Sequence, residues 1–297
     1  MAQDNLAKKT TKNFIWNFAE RCGAQGVAFI VSIVLARLLD PSVYGTIALV
    51  TVFTAIMSVF VDSGIGVALI QKKDVENVDF SSVFYLSMGI CALLYVGMFF
   101  AAPFIGDYYG EPIMVPVLRV LTLSIIFAGI RNIQTAYLSR KMQFRKSFFS
   151  NFGGTLISAA VGIGMAYAGY GIWALVGQQL TNEIVSMIIL WFAVKWRPTW
   201  EFSFSRVKSL FSYGWKILAC NLLDTAYSSL RQLVIGKRYT GEDLAYYNKG
   251  EHFPRTMVYT IDQSIERILL PTMSQEQDNL DRIKAITRRR SGSVPIV

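Results

Sequence analysis

Three long stretches without a single charged side chain limit this chain more than anything else in it. Pro41 to Val61 contains no Asp, Glu, Lys or Arg, neither does Phe80 to Gly106, and a third stretch runs from Ser147 to Asn182. The hydrocarbon core of a bilayer is about 30 Å thick and takes roughly 20 apolar residues per helix. The first two stretches therefore predict one membrane span each. The third is too long for one, and Gly169-Tyr170-Gly171 divides it into an antiparallel pair joined by a tight turn. Composition agrees: 53% of the 297 residues are hydrophobic and 16% charged, with a mean hydropathy of +0.39, whereas a soluble domain carries about 25% charged residues. The pattern predicts an all-α, polytopic transmembrane helical bundle with eight spans, at about 13–37, 42–70, 80–104, 115–138, 147–169, 172–194, 209–237 and 244–270.

Lys and Arg concentrate on one side of these spans. Lys8, Lys9, Lys12, Lys72, Lys73, the cluster from Arg140 to Lys146, Lys195, Arg197, Arg206, Lys208 and the basic residues from Arg282 to Arg290 fall there. Only Arg37, Lys237 and Arg238 fall on the other. Cytoplasmic loops carry such an excess, so the N-terminus is expected in the cytoplasm with an even number of spans. The first apolar stretch lacks a small-residue cleavage site and is interrupted by Glu20-Arg21, so no secretory signal is expected. The net charge of +9 does not argue for nucleic acid, because the clustered basic residues lie in short loops with no soluble domain to present them. Three cysteines without a CxxC pair and one histidine provide neither a disulfide framework nor a multi-histidine metal site. No P-loop, GxSxG, HExxH or catalytic carboxylate pair is found, so no enzymatic activity, cofactor or metal is expected.

The sequence also resembles itself at an offset of 200 residues. Leu35-Ala36-Arg37 and Tyr44-Gly45 align with Ile235-Gly236-Lys237 and Leu244-Ala245, and Phe14-Ile15-Trp16-Asn17 falls within one residue of Tyr213-Gly214-Trp215-Lys216. Six helices separate the copies, an even number, so they predict parallel repeats related by an axis along the membrane normal.

An ionisable group at the centre of a span costs about 2.5–3.5 kcal/mol or more and faces a cavity or a partner. Arg21, Gln25, Ala28 and Ser32 share one face of the first helix, and Asn221, Asp224, Ser228 and Arg231 one face of the seventh, with Lys216 nearer its start. In the eighth, His252, Arg255, Tyr259, Asp262 and Glu266 recur at three and four, with Lys249 and Glu251 at its entry. Such stripes predict helices that line water. Plainer accounts stand beside other polar residues. Glu20-Arg21 fits an internal ion pair. Asp62 fits helix termination or snorkelling as well as function. Arg131 with Asn132 and Gln134 fits either a lumen or an interfacial anchor. A lone His252 fits a polar stripe better than a proton relay, Cys22, Cys91 and Cys220 fit small core residues, and Gly153, Gly154, Gly162, Gly164, Gly169 and Gly171 fit close helix packing.

Two segments carry a family resemblance. Arg37-Leu38-Leu39-Asp40-Pro41-Ser42-Val43-Tyr44-Gly45 resembles the loop after the first helix of bacterial polysaccharide flippases, and Asp62-Ser63-Gly64-Ile65-Gly66-Val67-Ala68-Leu69-Ile70-Gln71 is similar to the end of their second helix. These belong to the superfamily of multidrug, oligosaccharidyl-lipid and polysaccharide exporters, and the resemblance is to the branch exporting colanic-acid-like or teichuronic-acid-like polymers. It covers residues 8–285. It implies a MATE-like fold, with two six-helix lobes around a cavity that opens alternately to each side of the bacterial inner membrane. It implies translocation of an undecaprenyl-pyrophosphate-linked oligosaccharide, with membrane lipids, a polysaccharide polymerase and other assembly proteins as partners. Cationic groups in a wet cavity suit an anionic pyrophosphate, which makes Arg21, Lys216, Arg231, Lys249 and Arg255 the candidate headgroup contacts. Asp224, Asp262 and Glu266 are candidates for charge balance or ion coupling.

Under that resemblance residues 1–200 form a first lobe and 201–287 begin a second with two helices. Eight spans are then present of an expected twelve or more, and the basic tail 288–297 departs from the family pattern. A truncated or frameshifted flippase is the expectation drawn from this, with a naturally short half-transporter as the plainer one. The rival functions are a cation-coupled multidrug extruder of the same superfamily, a non-functional fragment, a scaffold component of an assembly complex, and a membrane glycosyltransferase. The last lacks a sizeable loop to carry a catalytic carboxylate.

Overall fold

The computed structural model of the chain describes residues 26–62, 69, 75–141 and 143–251. Every regular element among them is a helix, as a bilayer requires of a chain that must satisfy its own peptide groups. They are α1 (Gly26–Leu38), α2 (Pro41–Asp62), α3 (Asn77–Tyr109), α4 (Met114–Leu121 continued by Leu123–Arg140), α5 (Phe144–Tyr167), α6 (Ile172–Ala193), α7 (Phe204–Arg238) and α8 (241–251). Their order is that of the eight predicted spans. The first half of span one and most of span eight lie outside the described residues.

Among the described residues, four helices are by length and composition apolar enough to cross a bilayer: Pro41–Val61, Asn77–Tyr109, Met114–Arg140 and Arg145–Tyr167. Helix α6 has 22 residues but carries Gln178, Gln179, Asn182 and Glu183 through its middle, and α7 carries Lys216, Asp224 and Arg231. The polar side chains, not the lengths, set these two apart. Helix α3 starts earlier and ends later than its apolar stretch. Glu76 and Asp79 form a reciprocal capping box at its start, and Gly110 closes it in the left-handed region at φ 71°, its N–H donating to the Asp107 and Gly106 carbonyls.

The helices enclose three apolar clusters at successive levels. At one end, here called the junction end, Leu35, Leu39, Val50, Met114, Leu118, Ile172, Val176 and Leu244 bring α1, α2, α4, α6 and α8 together. Met57, Val61, Cys91 and Ile125 form a small middle cluster. At the opposite, linker end, Leu69, Phe80, Leu138, Leu190 and Trp196 pack together. The 194–203 linker is fastened to the start of α3. The Ser203 N–H donates to Ser82 Oγ at 2.9 Å, the Thr199 N–H donates to Ser81 Oγ at 3.0 Å, and Trp196 packs on the Phe80 ring with centroids 5.7 Å apart. Arg206 then reaches back to Glu76 at 2.8 Å and Asp79 at 3.4 Å. The Glu76 hydrogen bond, aided by both carboxylate charges, pushes the guanidinium above its ordinary pKa. The second stretch of helices thus begins from a point tied to the first.

The predicted α5–α6 pair is present. Gly169 (φ 80°) and Gly171 (φ 55°) make its turn, where a β-carbon would be strained. Along its length Ser150 and Ser186 exchange hydroxyl-to-carbonyl hydrogen bonds at 2.7 and 3.3 Å. A β-carbon at Gly154 would crowd Ser186 Oγ and come within 2.9 Å of Asn182 Oδ1, while one at Gly164 would touch nothing. Packing therefore explains Gly154 and not Gly164. Replacing Gly154 with Leu should destabilise the pair by about 1–3 kcal/mol, the usual cost of overpacking. A lowered unfolding midpoint in detergent for Gly154→Leu, with Gly164→Ala unchanged as control, is the expected measurement.

Candidate functional site

Helix α7 was expected to present a polar stripe to water. It lays one face on α2 and α3, with Ser229 buried and Gly236 pressed against Leu49, where a β-carbon would lie 3.0 Å from Cδ1. Lys216, Asn221, Asp224 and Arg231 are all exposed, and Lys216, Asp224 and Arg231 lie away from the face that holds Ser229 and Gly236. Ser228 is half-buried and donates to the Thr225 carbonyl at 3.0 Å. The exposed face is mixed, because Leu223, Tyr227, Leu230 and Val234 share it.

At 1.5 Å of rise per residue, Lys216 and Arg231 are about 22 Å apart along the axis. They form rungs of a ladder along the helix and cannot grip one pyrophosphate together. Lys249 is exposed and Glu251 half-exposed on helix 241–251. Contacts divide the chain into units Met1–Ala245 and Tyr246–Val297, and these two residues belong to the second. Arg21, Arg255, Asp262 and Glu266, like His252, lie outside the described residues.

The resemblance of the chain to itself acquires a geometry at the junction end. Helix α1 ends at Leu38 and α2 starts at Pro41; α7 ends at Arg238 and α8 starts at 241. The two breaks are 200 residues apart and alike in their bonding. The Leu39 N–H donates to the Leu35 carbonyl at 3.0 Å, and the Tyr239 N–H donates to the Ile235 carbonyl at 2.9 Å. In the second copy Thr240 and Asp243 cap α8 reciprocally, the Thr240 N–H donating to Asp243 Oδ2 at 3.1 Å and the Asp243 N–H to Thr240 Oγ1 at 3.2 Å. The two hydrogen bonds from Thr240 hold the Asp243 carboxyl below its ordinary pKa. Their contribution to the fold is complete above the ordinary carboxylate range and is lost as pH falls through the lowered value.

The two copies also touch. Gly45 in α2 crosses the backbone of Gly241 so closely that a β-carbon on it would lie 2.6 Å from the Gly241 carbonyl carbon and 2.7 Å from its Cα. Only glycine at position 45 permits that approach. Beside the crossing, Lys237 reaches the Tyr108 carbonyl at the end of α3, with its ammonium 4.1 Å from the centre of the Tyr108 ring.

A second polar site lies inside the bundle, and one of its members escaped the sequence reading. Arg131 was expected in a lumen or at an interface. Its guanidinium instead pairs with Glu183, at 3.0 Å to Oε2 and 3.2 Å to Oε1. Asn132 donates to the Val61 carbonyl at 2.7 Å, binding α4 to the end of α2. Gln134 is fully buried, and neither atom of its amide has a partner. Arg131, Gln134 and Leu138 follow the same i, i+3, i+7 spacing along α4 as Glu183, Ser186 and Leu190 along α6. The two polar runs sit between the apolar levels at the two ends, with Glu183 halfway along its helix. A midspan carboxylate within reach of α4 was the available signal. The cysteines divide: Cys91 is buried and donates to the Ile125 carbonyl at 3.5 Å, Cys220 is exposed, and Cys22 lies outside the described residues.

Among the described residues no group of three or more His, Cys, Asp or Glu is placed to hold a metal ion. The helices and their polar interior define a polytopic, all-α membrane protein. The model of the polysaccharide biosynthesis protein family matches residues 34–296, and the chain belongs to that family. It is 24% identical over 277 residues to the succinoglycan biosynthesis transport protein ExoT of Rhizobium meliloti (strain 1021), covering 93% of this chain and 56% of that protein. To the lipopolysaccharide biosynthesis protein WzxC of Escherichia coli (strain K12) it is 20% identical, covering 94% and 57%. To the teichuronic acid biosynthesis protein TuaB of Bacillus subtilis (strain 168) it is 25% identical, covering 75% and 47%. The chain spans about half the length of these curated relatives. No solved structure matches it.

The Arg131–Glu183 pair is open to a simple test. Glu183→Leu leaves the Arg131 guanidinium without its partner and should cost about 1–3 kcal/mol. The double replacement Arg131→Met with Glu183→Leu should recover most of that loss, since a half-buried pair replaced whole by apolar groups leaves no charge unpaired. Unfolding midpoints of the two single variants and the double variant check both expectations.

Proposed function

We propose that the protein moves an undecaprenyl-pyrophosphate-linked oligosaccharide from the cytoplasmic to the outer leaflet of the bacterial inner membrane, for assembly of a surface polysaccharide. The observation that carries the proposal is the meeting of two like helix junctions, 200 residues apart, at the Gly45–Gly241 crossing. Two parallel repeats touching at one end and free to separate there are what alternating access needs. The names of the relatives, a transport protein and two polysaccharide biosynthesis proteins, point to the cargo.

In this mechanism residues 1–200 act as one lobe and those from 201 onward begin the other. The Lys and Arg bias places the junction end outside and the N-terminus in the cytoplasm. With the crossing made, the outer end is shut and the cargo enters from the linker end. The rungs Lys216 and Arg231, joined by Arg21, Lys249 and Arg255, hand the pyrophosphate along in weak successive contacts. Spacing of this kind favours release, because no single position collects enough charge to trap the headgroup. Asp224, Asp262 and Glu266 balance those charges or carry a coupling ion, and the polyprenyl tail stays in lipid. Separation of the two junctions then opens the outer end. No covalent bond changes, so the activity is transport and not catalysis, and the released unit passes to a polysaccharide polymerase and its assembly partners.

Two tests follow, both in cells expressing the gene from its own locus. Lys249→Gln with Arg255→Gln should abolish polymer export while membrane insertion is unchanged; normal export at matched protein levels would sink the cationic path. Gly45→Val should prevent the crossing. A cysteine introduced by Ser42→Cys should then react several-fold faster with a membrane-impermeant maleimide added outside, and equal rates with and without Gly45→Val would contradict the closed junction.

A further inference from the structure

The junction end holds a cavity of about 550 Å³ that the cationic path does not use. Its walls come from both sides of the Gly45–Gly241 crossing. Ser42 and Thr46 of α2 face it with Glu111 of the α3–α4 connection, and Thr240 and Glu242 enter from the α7–α8 break. Ile113 and Ile172 supply apolar wall. No lysine or arginine lines it, and neither Glu111 nor Glu242 has an ion-pair partner among the described residues. The chemistry is the reverse of the α7 ladder. Two carboxylates repel a phosphate, but each accepts strong, short hydrogen bonds from hydroxyl groups. The Ser42 hydroxyl offers a donor and an acceptor, while the Thr46 and Thr240 hydroxyls, which donate to the Ser42 carbonyl at 3.3 Å and to Asp243 Oδ2 at 2.7 Å, offer lone pairs as acceptors. The volume falls within the range of small-molecule sites and leaves room for a short oligosaccharide.

We propose that this cavity is an outer sugar subsite, which takes the uncharged, hydroxyl-rich units of a glycan while the pyrophosphate is handled by the cationic rungs. The assignment rests on the transport function proposed above. It adds a division of labour along the path, with cations for the anionic linkage and carboxylates with hydroxyls for the sugars. It adds a regulatory consequence as well. Because its walls belong to both repeats, the cavity exists in this form only while the crossing is made. A sugar bound there favours the closed junction by as much as it prefers that state. By the same linkage, closing the junction tightens the sugar site.

The test uses the complete protein in lipid nanodiscs, with maltotriose as an uncharged, hydroxyl-rich probe and sodium pyrophosphate and calcium chloride as separate probes. Calorimetry should show saturable binding of maltotriose at one site, weakened at least tenfold by Glu111→Gln with Glu242→Gln. Both positions are exposed, so the double variant should fold, and pyrophosphate binding by the same variant serves as the check. Gly45→Val, which parts the two walls, should weaken maltotriose binding to a similar degree. Absence of saturable maltotriose binding, or binding equal in the double variant, overturns the subsite. Calcium binding lost in the double variant, without maltotriose binding in the parent, reassigns the cavity to a cation and also overturns it. The transport function is judged separately, by pyrophosphate binding and polymer export in Lys216→Gln with Arg231→Gln. Unchanged values there with maltotriose binding intact would remove the cationic path and retain the sugar subsite.

Discussion

A peptide group without a hydrogen bond in an apolar medium costs about 2–7 kcal/mol, and in this chain that penalty decides where the backbone is allowed to break. Among the described residues the longer interruptions fall at 39–40, 110–113, 168–171, 194–203 and 239–240, and α4 carries one further break at Thr122, whose N–H still donates to the Leu118 carbonyl at 2.9 Å. Local bonds close the longer ones: the Leu39 N–H on the Leu35 carbonyl, the cap at Thr240–Asp243, left-handed glycines at 110, 169 and 171, and serine hydroxyls under the 194–203 linker. Irregular backbone is concentrated where it can be bonded locally, and the Gly45–Gly241 crossing lies at one of those places.

Ionisable side chains meet the same penalty in two opposite ways. Inside the bundle, Arg131 and Glu183 form an ion pair between α4 and α6. On α7, Lys216, Asp224 and Arg231 stay on an exposed face, spread over four turns. The first arrangement tightens a helix contact. The second keeps charge on an exposed surface. Between them they account for why the most hydrophobic helices, α2 and α3, carry no charge in their middles, while α6 and α7 do. Aromatic residues mark the border with water at the linker end, where Trp200, 96% exposed, stacks on Tyr85 beside exposed Phe202 and Phe204.

Much of the helix order was legible because the signals are local. The charge-free stretches mark α2, α3, α5 and α6, and Gly169-Tyr170-Gly171 marks the turn between the last two. Boundaries were less legible where a polar residue belongs to a cap: Asp79 reads as loop by composition, yet lies in the first turn of α3 and closes its capping box. The partner of Arg131 was out of reach for a different reason. Glu183 is 52 positions away and reads, taken by itself, as one charge in an apolar helix. The spacing of the cationic set follows from helix geometry, since the axial rise of α7 separates Lys216 from Arg231 by roughly 22 Å.

What the sequence alone determined is the medium: long charge-free runs compel helices across a bilayer, and the 200-residue offset marks two breaks that the structure bonds alike. Periodicity and composition are properties of contiguous residues, so they survive without a fold. Which groups meet is a property of packing. Only the tertiary structure placed Gly45 against Gly241, put Glu183 opposite Arg131, and gathered Glu111 and Glu242 around one cavity with three hydroxyls. Each of those meetings joins residues at least 50 positions apart, and the approach of one helix to another, set by the small residues between them, decides it.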